Sequence, residues 1–156
     1  MDSTDILINI RKIVRSINLE SKRIQKDYGV SIPQVLCLNY LSNCPNQQST
    51  QSEIKSFLNL NSSTASGIVQ RLEKKGLIAK LPKSGDKRVT KLILTAYGDQ
   101  LLKRIPPLMH DRMNTKLQKM NPSEVSEIVE LLEKLVLLLQ ISELDASEAM
   151  TDELVI

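Results

Sequence analysis

Tryptophan is absent from the 156 residues, phenylalanine occurs once and tyrosine three times. A core must therefore be built from Leu, Ile, Val, Met and Ala, the residues that favour helix and pack helical bundles. The two cysteines, Cys37 and Cys44, are too few for a disulfide framework. His110 is the single histidine and has no second His or Cys at ligand spacing, so it is a poor metal ligand and reads as solvated or ligand-contacting. No apolar run approaches the ~18 residues that a bilayer span needs. The opening MDSTDILINI is acidic and lacks the basic region of a secretory signal, so the expected location is the cytoplasm. A glycine-rich phosphate loop, a G-x-S-x-G elbow and a nearby Cys-His pair are all missing. Glu130 and Glu133 fall on what reads as a solvated helix face. No catalytic residue, metal or cofactor is expected, and the chain does not read as an enzyme.

What is present is an ordinary apolar fraction, 41%, and an uneven distribution of charge. The net charge of +3 conceals a middle segment, residues 50–95, with nine basic and three acidic side chains. Residues 143–156 carry five acidic groups and no basic one, and read as a mobile acidic tail. A polyanion would therefore dock on the middle third.

Apolar periodicity and capping signals divide the chain into helices. Ile6, Ile10, Ile13, Ile17 and Ile24 keep to steps of three and four, which predicts an amphipathic helix over 4–27, ended by Gly29. Ser31 with Gln34 forms a capping box for a helix over 32–43. Thr50 with Glu53 forms another, for a short helix through Leu58. Asn61 caps a helix from Ser62 to Lys75, and Gly76 suits the left-handed residue that follows. Two alternating runs, 77–81 and 88–94, flank a polar Gly-containing loop and predict a β-hairpin. Thr95 caps a fifth helix that must kink near Ile105 or break at Pro106-Pro107. Asn121-Pro122 starts a last helix over roughly 122–142, which is apolar on every face from Leu135 onward. So apolar a helix must be buried, and a second subunit is the expected cover. Ile6, Ile10, Ile13, Leu132, Leu135 and Leu139 are the candidate dimer-interface residues.

Helix, helix, short helix, turn, helix and basic hairpin is the order of a winged helix-turn-helix, whose second motif helix enters the DNA major groove. The fold class expected is mainly α with a small β-hairpin wing and a helical dimerisation region. Residues 32–95 would form the DNA-binding domain, and 1–31 with 96–142 the dimerisation region. The candidate DNA-contacting residues are Thr50, Gln51, Ser62, Ser63, Thr64, Ser66, Gln70, Arg71 and Lys74, with Lys83, Lys87 and Arg88 on the wing. Lys75 also reaches the same region. Arg71 has an equal structural alternative, a salt bridge that fixes the wing. Two other functions stay open: a winged-helix assembly module that binds no DNA, and an oxidant sensor using Cys37 or Cys44. If both cysteines lie on one helix they are about 10 Å apart along its axis, beyond the reach of an unstrained disulfide.

The sequence resembles the MarR family of bacterial transcriptional regulators. The resemblance is carried by Thr50-Gln-Ser-Glu-Ile54, Ser63-Thr64, Val69-Gln-Arg-Leu-Glu-Lys-Lys-Gly-Leu-Ile78, Gly85-Asp-Lys-Arg88 and Leu94-Thr-Ala-Tyr-Gly98, in order and spacing. It implies a homodimer with interdigitated terminal helices, a pseudo-palindromic double-stranded DNA operator, and repression relieved by a small anionic or lipophilic effector. It also implies that Arg88 enters the minor groove, oriented by Asp86. Gly67 departs from the pattern, because many relatives have a long polar residue there.

Overall fold

The computed structural model describes residues 3–83, 85 and 88–141. In chain order the elements are α1 (Thr4–Tyr28), α2 (Ile32–Asn43), β1 (Gln48–Thr50), α3 (Gln51–Phe57), α4 (Ser62–Lys74), β2 (Ile78–Lys80), β3 (Lys91–Leu94), α5 (Ala96–Arg104), α6 (Met109–Leu117) and α7 (Pro122–Leu138). The fold is mainly α with a small antiparallel sheet, as expected. The expectations for the acidic tail, Lys87 and Asp86 lie outside the described residues.

The capping signals do what their chemistry predicts. Ser31 Oγ accepts from the Gln34 N–H while Gln34 Oε1 accepts from the Ser31 N–H, each at 3.3 Å. Thr50 and Glu53 repeat the exchange at 3.1 and 3.2 Å. Asn61 Oδ1 takes the Thr64 N–H at 2.7 Å. Each satisfies N–H groups that a helix start leaves without a backbone partner. Gly29 (φ 71°) and Gly76 (φ 74°) end α1 and α4 in the left-handed region.

Three features differ from the sequence reading. First, the hairpin is the outer part of a three-stranded sheet ordered β1-β3-β2, in which Ser49 faces Leu92 and Ala79 faces Ile93. β1 is polar and short, and gives no hydrophobic alternation to detect. Second, the Pro106-Pro107 segment produces a full break, with Asp111 reaching back to the Leu108 N–H at 2.9 Å to start α6. Third, α7 stops at Leu138 rather than near 142: Gln140 turns left-handed (φ 54°) and the Ile141 N–H closes on the Val136 carbonyl.

The core runs from Ile24 to Leu108 and is almost wholly aliphatic. Leu38, Leu41, Ile54, Ile68, Leu72 and Leu92 are each at most 1% exposed. Fully burying such a side chain stabilises by about 1.5–3 kcal/mol. This core clamps α3 and α4 at a fixed angle and seats the sheet against them. Outside it, α1 buries only Glu20, Ser21 and Ile24, and α7 buries nothing.

Candidate nucleic-acid interface

α3, the turn and α4 form the two-helix unit. Asn59 takes the left-handed conformation (φ 52°) that lets the chain reverse, and Leu60 beside it is buried, pinning the turn to the core. α4 then divides sharply between faces. Thr64, Ala65, Ile68, Val69 and Leu72 are buried, while Ser62, Ser63, Gln70, Arg71 and Lys74 are exposed and Ser66 is half-buried. The 3.6-residue repeat places the exposed set on one outward face.

Small residues at the start of that face allow close approach to a polyanion. The α4 N-terminus adds the positive end of the helix dipole. Lys55, on α3, donates to Ser62 Oγ at 2.9 Å and brings a cation to the same end. Sequence reasoning missed Lys55; its place seven residues before the α4 N-terminus was the available signal. Thr50 and Gln51 open α3 half-buried, and Thr50 already serves as its cap.

Two candidates face elsewhere. Thr64 is only 9% exposed, because it lies on the buried stripe of α4. Lys75 is exposed but engaged: its Nζ donates to the Gly29 carbonyl at 2.7 Å and to Gln34 Oε1 at 3.0 Å, tying the end of α4 to the α1–α2 turn. Those two bonds direct its ammonium toward the α1–α2 turn.

Gly67 has a local explanation. A Cβ there would lie 3.2 Å from Arg71 Nη1, so the glycine leaves space for the Arg71 guanidinium to fold back along the helix. The wing is joined to α4 by Lys80 and Glu73, whose charged atoms lie 3.6 Å apart. At the wing base, Thr95 Oγ1 donates to the Gly76 carbonyl at 2.7 Å and accepts from the Gly98 N–H at 3.0 Å. Gly98 packs directly against the Leu77 carbonyl oxygen, where a Cβ would overlap it. The L-T-x-x-G run is thus the joint that fixes the wing against α4. Lys83 and Arg88, on the wing itself, are exposed.

The cysteines lie apart from this surface. Cys37 is fully buried, and burial pushes its thiol up to about 12. The thiolate is the nucleophile, so Cys37 is a poor oxidant sensor. Cys44 follows the last residue of α2 and is half-buried. Among the described residues no group of three or more His, Cys, Asp or Glu is placed to hold a metal ion.

The exposed terminal helices complete the picture. Ile6 and Ile13 are 53% and 54% exposed, Leu132 is 52% exposed, and Leu139 is 46% exposed. Ile10 and Leu135 are half-buried. No helix among the described residues is long and apolar enough to cross a membrane.

A helix-turn-helix with an outward polar face, backed by a β-wing, defines the winged helix-turn-helix class. The model of the MarR family matches residues 30–90, so the winged helix-turn-helix segment of this chain is similar to that of the MarR family. The structure is similar to that of Sco3205, a MarR family transcriptional regulator from Streptomyces coelicolor solved in complex with DNA. That similarity has a TM-score of 0.66 at 22% identity and covers 92% of this chain and 96% of that one. It is also similar to MepR of S. aureus in its DNA complex (TM-score 0.64, 21% identity, 83% and 94% covered). In sequence, the uncharacterized HTH-type transcriptional regulator YsmB of Bacillus subtilis (strain 168) is 24% identical over 122 residues, which cover 78% of this chain and 82% of YsmB.

Proposed function

We propose that this chain is a homodimeric transcriptional regulator that binds a pseudo-palindromic DNA operator and acts as a repressor released by a small ligand. The observation that carries the reading is the outward face of α4. It has small polar residues at the helix start, then Gln70, Arg71 and Lys74, all beside a cationic wing. Residues 32–95 act as the DNA-reading unit, with 1–31 and 96–142 as the dimerisation region. Ser63, Ser66 and Gln70 face base edges in the major groove. The α4 N-terminus, Lys74 and Lys83 hold phosphates, and Arg88 reaches toward the minor groove. A protein-assembly module would have no use for this concentration of cations on the reading surface.

Dimerisation is supported by the uncovered leucines and isoleucines of α1 and α7. A release site is supported by a cleft of about 470 Å³ between α2, α3 and α6, where Tyr40 and Phe57 stack with ring centroids 4.4 Å apart. His110 lines it, and among the described residues no Lys or Arg does, so the lipophilic class of effector fits it better than the anionic class. Release works by population shift: the ligand prefers the lobe spacing that cannot grip DNA.

Selection of bound sequences from random duplex DNA at physiological salt tests the reading. A palindrome with half-sites about one helical turn apart, bound by a dimer, is the expected result. Binding without sequence preference, or no binding, would overturn it. An effector that relieves binding must itself bind DNA-loaded dimer more weakly, by the same factor. Equal affinity for free and loaded dimer would sink the release mechanism.

A further inference from the structure

The helix broken at Pro106-Pro107 is bridged from outside by α1. Before the break, the Tyr28 hydroxyl donates to the Arg104 carbonyl oxygen at 3.2 Å. Beyond it, Glu20 Oε1 accepts from the backbone N–H of Met109, the first residue of α6, at 2.8 Å. Arg112 lies 3.7 Å from the same carboxylate oxygen and donates to the Pro107 carbonyl at 2.8 Å. Glu20 is 9% exposed. Its separation from Tyr28 along α1 is about 12 Å, so one rigid helix holds both ends of the break.

A buried carboxylate is costly unless partners surround it, and here the N-terminus of α6 and Arg112 do so. Yet α6 does not need Glu20 in order to start, because Asp111 already takes the Leu108 N–H. Glu20 takes the next N–H, that of Met109, so its contact adds a link between helices to the cap that Asp111 begins.

We propose that Glu20 is a positioning residue: with Tyr28 it makes α1 a splint that sets the angle between α5 and α6. α5 packs on α2 within the winged lobe, and α6 leads into α7. The inference rests on the reading above of α7 as a dimerisation helix, in which this elbow angle fixes the spacing of the two DNA-reading lobes. Proline-broken helices have no continuous hydrogen-bond ladder to hold their angle, so an external brace has to supply it.

The test reads the elbow within one chain, without DNA. Spin labels are placed at Ser63→Cys on α4 and Lys116→Cys on α6 in a Cys44→Ser background. Labelled protein is diluted into excess unlabelled chain, and the distance distribution is measured by pulsed electron resonance. The decisive variant is Met109→Pro. Proline is accommodated at a first helical position, and Leu108 before it is already extended (ψ 166°), so the change removes the N–H that Glu20 accepts. Met109→Leu controls for the side chain.

Wild type and Met109→Leu should give one narrow distance. Met109→Pro and Glu20→Ala should shift or broaden it with helix content unchanged, whereas Glu20→Gln, which keeps the acceptor oxygen, should stay near wild type. Operator affinity of the unlabelled Met109→Pro dimer should fall about tenfold, the scale of one lost charge-assisted hydrogen bond. A wild-type distribution in Met109→Pro overturns the proposal. So does failure of that variant to fold, since the contact would then hold the fold rather than the angle, and so does a broadened elbow with unchanged operator affinity. A wild-type protein that binds no DNA would sink the proposed function while leaving the distance measurement to judge the splint.

Discussion

The winged lobe and the terminal helices are made from the same aliphatic residues and treat them in opposite ways. In the lobe, Leu38, Leu41 and Leu72 are completely buried. In α7, Leu131 is 64% exposed and Leu137 and Leu138 are each 77% exposed. Composition alone does not separate these regions; the presence of a packing partner within the chain does. The lobe closes its own core, whereas α7 and the first four turns of α1 present apolar faces that nothing among the described residues covers. A stable fold is worth only about 5–15 kcal/mol, and leaving several leucines in water consumes a large part of that.

The sharpest way to break this comparison is a charge on the uncovered face. If α7 packs on a second subunit as proposed, Leu135→Lys should dissociate or unfold the protein, because an ammonium buried at that contact has no compensating partner. Sedimentation velocity with circular dichroism at micromolar concentration checks it, and a folded, monodisperse wild-type monomer would remove the basis for the second subunit.

The matching disruption inside the lobe is Gly98→Ala. The added Cβ would overlap the Leu77 carbonyl oxygen and approach Leu94 Cδ1 to 2.7 Å. Backbone cannot yield as a flexible side chain does, so a loss of about 3 kcal/mol in unfolding free energy is expected. Here dimerisation should persist at temperatures where the variant stays folded. Chemical denaturation compared with sedimentation separates the two effects.

On the wing, Arg88→Ala should weaken operator binding and lower the salt slope by about 1. Asp86→Ala should also weaken it if the carboxylate orients Arg88, whereas pure electrostatics demands tighter binding. Tighter binding by Asp86→Ala at matched ionic strength, with the dimer intact, would falsify the orienting role. Neither change should alter the dimer, which keeps the effect within the lobe.

How far the sequence revealed the molecule depended on which physics controlled each element. α2, α3 and α4 were legible to within a residue because Ser31, Thr50 and Asn61 act locally, through hydrogen bonds to their own helix starts. The end of α7 was not, because Gln140 in a left-handed turn leaves no compositional mark of the kind glycine leaves. β1 escaped because its pairing with β3 is non-local and its one buried side chain is Ser49, which donates to Glu53 Oε2 at 2.6 Å. At the interface, helical periodicity identified the outward Ser63, Gln70 and Lys74. It did not separate Thr64, one step onto the buried stripe, or reveal that Lys75 reaches across to Gly29.

A smaller effect is expected where the sheet meets α3. Hydrogen bonds from the Ser49 hydroxyl and the Thr50 N–H hold the Glu53 carboxyl below its usual range, with Lys91 adding to the shift. A depressed folded-state value means the stabilisation is present above the unfolded value and fades as pH falls through the folded one. Melting temperature should therefore drop less steeply on acidification in Glu53→Gln than in wild type. Gln still closes the box, as Gln34 does in α2. Identical acid limbs in the two proteins would show that the box carries no charge-dependent stability.

The smallest change expected tests whether α4 is tuned for stability or for its outward face. Gly67→Ala should favour the helix by up to about 1 kcal/mol, since glycine is the weaker helix former. Against this, the new Cβ would lie 3.2 Å from Arg71 Nη1, the far end of a flexible side chain that can swing away by a few tenths of an ångström. The net should be a small gain in melting temperature, opposite in sign to Gly98→Ala on the far side of the wing. The displaced guanidinium is the informative part. If Arg71 contacts DNA in its folded-back position, Gly67→Ala weakens operator binding even as the protein becomes more stable. If Arg71 serves only the fold, affinity holds and stability falls instead. Thermal melting and operator titration on the same preparation distinguish these outcomes, and a joint rise in both would show that Gly67 serves neither purpose.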